Sequence, residues 1–147
     1  MIRAATAADV DRLVMLGQAM HAVSDYAPIS YNAAKVARLL VNLINGAGVV
    51  FVAERGGVVV GGLAGGVTEF WFSDEQLGFD YSFLIEPTSS NGITALRLIA
   101  AFKIWCKAKG AKVLKMGITT GINEERMSEL YRYAGFEQDG TLFRMEL

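Results

Sequence analysis

Residues 80–110 read DYSFLIEP, TSSNG, ITALRLIAAFKIWCKAKG. An apolar run stopped by proline, a small polar loop and a long apolar-periodic run predict a buried strand, a tight connection and a helix of about five turns. Helix starts leave backbone N–H groups without internal partners, and the positive end of the macrodipole stands behind them. A Ser/Gly loop opening straight into such a helix suits a phosphate-bearing ligand. The helix face of Ile93, Leu96, Leu98, Ile99, Phe102, Ile104 and Trp105 covers much of its circumference. That breadth asks for a sheet to pack against.

The rest of the chain supplies the sheet. A short strand at 2–5 precedes Thr6-Ala7-Ala8-Asp9, a capping-box-like start for a helix carrying Val10, Leu13, Leu16 and Met20 to about His21. After a polar connection at 24–31, Asn32 caps a second helix with Val36, Leu39, Leu40 and Leu43 on one face, ended by Asn45-Gly46. The period then changes to that of strands. A strand at 49–53, a hairpin turn at 54–57 and a return strand from Val58 lead through Gly61-Gly62 and Gly65-Gly66 to Thr68-Glu69-Phe70-Trp71. Paired glycines inside a strand predict a bulge or the close approach of another group. Three adjacent aromatics, Phe70, Trp71 and Phe72, predict core or oligomer contacts, with one ring left exposed. A turn at 73–75 and a strand at 77–85 follow. Beyond the long helix come a strand at 112–118, a helix at 123–133 and closing strands at 135–136 and 141–147. An antiparallel meander followed by a βαβ unit predicts an α+β fold, a mixed and mostly antiparallel sheet with helices on both faces, in one domain over residues 1–147.

Composition narrows the function. Apolar residues are 52% of the chain, which favours a compact core, and the net charge of −1 with 14 scattered basic residues argues against nucleic-acid binding. Single copies of cysteine (Cys106) and histidine (His21) exclude an internal disulfide and a Cys/His zinc site, so no metal is expected. Acidic residues near the N-terminus and the broken apolar run at 39–53 predict no signal segment and no membrane association, and hence a cytoplasmic protein.

The element order, with residues 89–94 and 130–136, resembles the GNAT superfamily of acyl-CoA-dependent N-acyltransferases. In that family a loop of pattern Arg/Gln-x-x-Gly-x-Gly/Ala wraps the coenzyme A pyrophosphate. The matching residues are Ser89, Ser90, Asn91, Gly92, Ile93 and Thr94, with Ser89 replacing the cation and Thr94 the last small residue. Loss of that cation weakens phosphate binding by about 1–3 kcal/mol. Arg97 and Lys103 stand in nearby turns as candidates to compensate. Leu130-Tyr131-Arg132-Tyr133-Ala134-Gly135-Phe136 resembles the family's Leu-Tyr-x-x-x-Gly-Phe signature. The resemblance implies that Tyr131 acts as general acid toward the departing thiol of acetyl-CoA, and that Phe83, Leu84 and Ile85 pair with the pantetheine arm as an added strand. Asn123 is carried over as a coenzyme contact, one residue out of step with the family spacing. For the base that deprotonates an ammonium, Glu69 is placed slightly ahead of Asp80, because it follows the glycine-rich strand; register decides between them.

These readings imply an N-acetyltransferase that moves an acetyl group directly from acetyl-CoA to a primary amine, borne on a small molecule or a peptide. The connection at 24–31, with Asp25 and Tyr26, is expected to set acceptor specificity, and a cationic acceptor would fit Asp25, Glu69 and Asp80. Pairing of the closing strands across a subunit boundary would make a homodimer. A non-catalytic acyl-CoA-binding or protein-interaction module of the same fold is the alternative reading. A nucleotide-binding α/β protein ranks third, since no lysine follows Gly92 and no G-x-G-x-x-G is present.

Overall fold

The computed structural model describes residues 1–89 and 92–147. Its five strands are β1 (Ile2–Ala4), β2 (Val49–Arg55), β3 (Val58–Glu69), β4 (Gln76–Ile85) and β5 (Ala111–Lys115). They form one sheet in sequence order, antiparallel from β1 to β4, with β5 parallel to β4. Helices α1 (Val10–Ala22) and α2 (Ala33–Asn42) cover one face, and α3 (Gly92–Ala108) and α4 (Glu124–Tyr133) cover the other. This is the expected α+β architecture.

Local chemistry explains most of the element ends. Asn32 Oδ1 accepts the Lys35 N–H at 2.9 Å and starts α2. A π-turn over Leu43–Ala47 prolongs that helix, and Gly46, at φ +119°, ends it. Gly56 and Gly57 both take positive φ, which the two-residue turn between β2 and β3 needs. At the N-terminus Asp9 accepts the Thr6 N–H at 2.8 Å and pairs with both terminal nitrogens of Arg3 at 2.8 and 3.0 Å. Arg3 also reaches Glu54 at 3.1 Å, so one buried carboxylate fastens β1, β2 and the start of α1. The Arg3 guanidinium holds the Asp9 carboxyl down at about 2.

The glycine pairs of β3 mark close approach on both faces. A side chain at Gly65 would strike the ring of Phe102, the fully buried centre of α3, and one at Gly62 would meet Leu13 of α1 at 2.9 Å. α3 buries Ala95, Leu98, Ile99, Phe102 and Cys106 at helical spacing, whereas Ile93 and Ile104 face solvent. The helix therefore packs through a narrower stripe than its apolar content predicts. Trp71, 95% exposed, and Phe72 project from the β3–β4 turn and stack with each other rather than on the core.

Two expectations fail at the far edge. β5 ends at Lys115 rather than Ile118, because Met116 and Gly117 leave the sheet toward Asp80. Residues 135–147 form no strand: Gly135, at φ +98°, turns the chain back so that the Phe136 N–H bonds the Tyr131 carbonyl at 2.9 Å. Phe136 packs on the Tyr131 ring, and beyond it Leu142, Phe143, Met145 and Leu147 are exposed, with no strand alongside to complete a ladder.

Two outcomes follow. Gly65→Ala should lower unfolding free energy by about 1–3 kcal/mol, the usual cost of overpacking a filled core, read as a lower urea midpoint at unchanged slope. Because Asp9 is depressed in the folded state, its contribution is present above the unfolded carboxyl value and is lost as pH falls toward 2. The stability gap between wild type and Asp9→Asn should be widest above pH 4 and should close in acid; a pH-independent gap would refute the linkage.

Candidate active site

β4 and β5 part company midway. They pair from Gln76↔Ala111 to Phe79↔Lys115 and no further, so residues 80–85 of β4 carry an edge that no strand covers. At the same point β4 holds an extra residue: Ala64 faces Ser82 and Gly65 faces Asp80, leaving Tyr81 bulged out of the β3 ladder. A bulge re-aims the side chains beside it, and Asp80 stands at the vertex of the fork. A cavity of about 560 Å³ fills the opening, within the ordinary range for small-molecule sites.

The fork brings Asp80 and Tyr131 together through one peptide. The Gly117 N–H is hydrogen-bonded to the Asp80 carboxylate, and the Tyr131 hydroxyl donates to the Gly117 carbonyl at 3.3 Å. Both side chains line the cavity. Burial raises the Asp80 carboxyl to about 6, even against the stabilising bonds from Gly117 and its own N–H. Burial also raises the Tyr131 hydroxyl, and the Asp80 charge adds to it. Tyr131 is thus a neutral donor at any physiological pH, and Asp80 is a carboxylate poised near neutrality. Such a divergence within one polar pair is what acid–base work requires.

The other anticipated residues divide. Glu69, at the last position of β3, is exposed and outside the cavity; the bulge lies in β4 rather than in the glycine-rich β3 that had favoured it. Phe83, Leu84, Ile85, Gly92 and Asn123 line the cavity. The Ser89 N–H bonds the Glu86 carbonyl at 2.9 Å in a short 3₁₀ turn. Ser90 and Asn91 lie outside the described residues. Ile93, Thr94 and Arg97 border a separate hollow against β1 and β2, so Arg97 is not the compensating cation, and Lys103 lies exposed beyond the cavity lining. The arginine at the cavity is Arg126 of α4. Sequence reasoning missed Arg126 and Gly117; a bare glycine after β5 gives no sign that its peptide joins two side chains.

On the other side, the connection after α1 closes the cavity. The Asp25 N–H donates to the Thr120 carbonyl at 2.8 Å, and its carboxylate occupies the space beside Gly121. Tyr31 directs its hydroxyl to the Val14 carbonyl at 3.1 Å and packs its ring 5.3 Å from His21.

No family model matches the chain, and no curated protein matches it in sequence. Solved structures do match, over nearly its whole length. An integron cassette protein from the mobile metagenome of Cole Harbour Salt Marsh is 19% identical with a TM-score of 0.77, covering 99% of this chain and 89% of its own. An aminoglycoside acetyltransferase from an uncultured soil metagenomic sample, in complex with trehalose, is 20% identical with a TM-score of 0.76, covering 100% and 95%. A putative acetyltransferase from Agrobacterium tumefaciens is 15% identical with a TM-score of 0.76, covering 100% and 99%. The fold is that of the GNAT-type acetyltransferases.

Because the folded state holds Asp80 above the unfolded carboxyl value, wild type should lose stability relative to Asp80→Asn as pH rises from about 4 to about 6, then run parallel to it. Denaturant titrations at half-unit pH intervals read this directly, and parallel curves throughout would disprove the raised carboxyl.

Proposed function

We propose that the protein is an N-acetyltransferase that moves an acetyl group from acetyl-CoA to a primary amine by direct transfer. The observation that carries the reading is the Asp80–Gly117–Tyr131 constellation at the vertex of the β4–β5 fork, set in an acetyltransferase fold. Fold alone does not assign chemistry; here the polar pair stands where the fold opens.

The reaction needs a base and an acid in turn. Asp80 takes a proton from the acceptor ammonium, directly or through a water, and the free amine attacks the thioester carbonyl to form the C–N bond. A backbone N–H of β4 near Leu84 or Ile85 stabilises the oxyanion. As the intermediate collapses the C–S bond breaks, Tyr131 delivers its hydroxyl proton to the departing thiolate, and the second proton of the newly acylated nitrogen returns to the tyrosinate, giving the neutral amide. The uncovered edge at Phe83, Leu84 and Ile85 suits an extended amide-bearing arm, which would complete the ladder β5 leaves unfinished. Gly92, at the start of α3, and Arg126 and Asn123 near the start of α4 border the same cavity, and they are the groups we assign to the coenzyme's phosphate-bearing end. Cys106 is buried in α3 away from the cavity lining, with its thiol pushed up to about 11, so an acyl-enzyme through it is disfavoured.

A second reading rests on Ser89, which places a short hydroxyl where the family carries a cation: a binding module that keeps the fold without turnover. Calorimetric titration with acetyl-CoA followed by a thiol-release assay over an amine panel separates the two: absence of heat at millimolar ligand removes the transferase, and heat without thiol release favours the binding module.

For the enzyme, Asp80→Asn should lower kcat/KM by about 10²–10⁴-fold and abolish the acidic limb near pH 6. Tyr131→Phe should reduce kcat while leaving coenzyme affinity unchanged. Full activity in either variant would take that side chain out of the mechanism.

A further inference from the structure

The walls of the cavity on the α1–α2 side carry almost no charge. Among the described lining residues Asp80 is the single carboxylate, and Arg126, which we assign to the coenzyme, the single cation outside histidine. Asp25 is exposed and turned to Gly121, and Glu69 lies at the far end of β3; neither lines the cavity. The expectation of three carboxylates waiting for a cationic acceptor therefore fails. The α1–α2 side of the lining is mainly apolar and aromatic: Met20, Tyr26, Val36 and Leu39, with the His21–Tyr31 ring pair among them and Ser24 beside. The Tyr31 hydroxyl is spent on Val14, so that residue offers a ring rather than a polar tip.

We infer that the acceptor is a small monoamine with an apolar, preferably aromatic, body, not a polycation. The inference rests on the transferase reading for its chemistry and narrows the substrate of that same site. One ammonium has one partner, Asp80, and the body lies among α1, α2 and the connection between them. A second or third ammonium would leave water without a carboxylate to meet it, a heavy penalty in an apolar cavity. Aromatic faces attract a cation, but they substitute poorly for several carboxylates at once. The aminoglycoside acetyltransferase that shares the fold thus offers no guide to the acceptor of this chain.

The test separates binding from turnover. Equilibrium dialysis of the protein with 2-phenylethylamine, spermidine and kanamycin, each with coenzyme A present, should give phenylethylamine a Kd at least tenfold below the other two. Asp80→Asn should weaken phenylethylamine, and Val36→Glu, which adds a carboxylate to the wall, should narrow the gap toward spermidine. Equal or tighter polycation binding, or no phenylethylamine binding, would overturn the inference. Acetylation is then followed with acetyl-CoA and the same amines. Phenylethylamine bound but never acetylated would sink the transferase and leave the acceptor assignment standing; efficient acetylation of the polycations would do the reverse.

Discussion

The separation of β4 from β5 after Phe79 and Lys115 is the constraint on which the site depends. Two parallel strands that continued together would satisfy one another and leave no opening. By parting, they expose the β4 edge over residues 80–85, and backbone groups without partners are costly unless water or a ligand meets them. The fold sustains this because both faces of the strand are clamped. Leu84 is buried beneath α1 and α2, while Leu63 and Phe102 are fully buried on or under the strands beside it. Gly65 lets Phe102 come that close, so a missing side chain in β3 helps hold the fork open one strand away.

The electrostatics of the site follow from that geometry. Asp80 sits where sheet pairing has just ended, too deep for full hydration and too close to the opening for a salt bridge; among the described residues no cation is paired with it. Contrast Asp9, forked by Arg3: burial raises the first carboxyl and a guanidinium lowers the second. The same residue type thus serves as fastener at one end of the sheet and, in the mechanism we propose, as base at its middle. The Gly117 peptide presents its N–H to one side chain and its carbonyl to the other, which fixes Asp80 and Tyr131 without neutralising either.

Much of this was legible in the chain, and the boundary between what was and was not has a physical cause. The helices could be read because their signals are local: Asn32 caps its own helix, Gly46 and Gly135 end theirs, and the spacing of Leu98, Phe102 and Cys106 names a buried stripe. Strand existence was equally plain, yet strand ends were not. β5 stops at Lys115 because Gly117 bonds a side chain of the neighbouring strand β4, a contact across the intervening α3 that local sequence does not announce, and residues 141–147, whose alternation suits a strand, have none beside them among the described residues. The choice between Glu69 and Asp80 failed for a related reason. The glycines of β3 were a true sign of crowding, but crowding came from Leu13 and Phe102, while the bulge itself fell at Tyr81 on the partner strand. Register is a property of pairs, and one strand's sequence holds only half of it.

Recognition and chemistry are separable in such a molecule. The fork and the bulge belong to the sheet, and the solved acetyltransferases share the fold at 20% identity or less. The wall opposite is built from α1, α2 and their connection, elements that touch the sheet through aliphatic contacts and are free to vary in what they present to the cavity. A polar wall and an apolar wall would leave the proton transfers proposed at Asp80 and Tyr131 alike, because those depend on burial and on one peptide bond. Charge on the wall decides instead which ammonium can be brought to Asp80 at all. With one carboxylate and rings along the α1–α2 side, the cavity fits the single positive charge proposed for its acceptor.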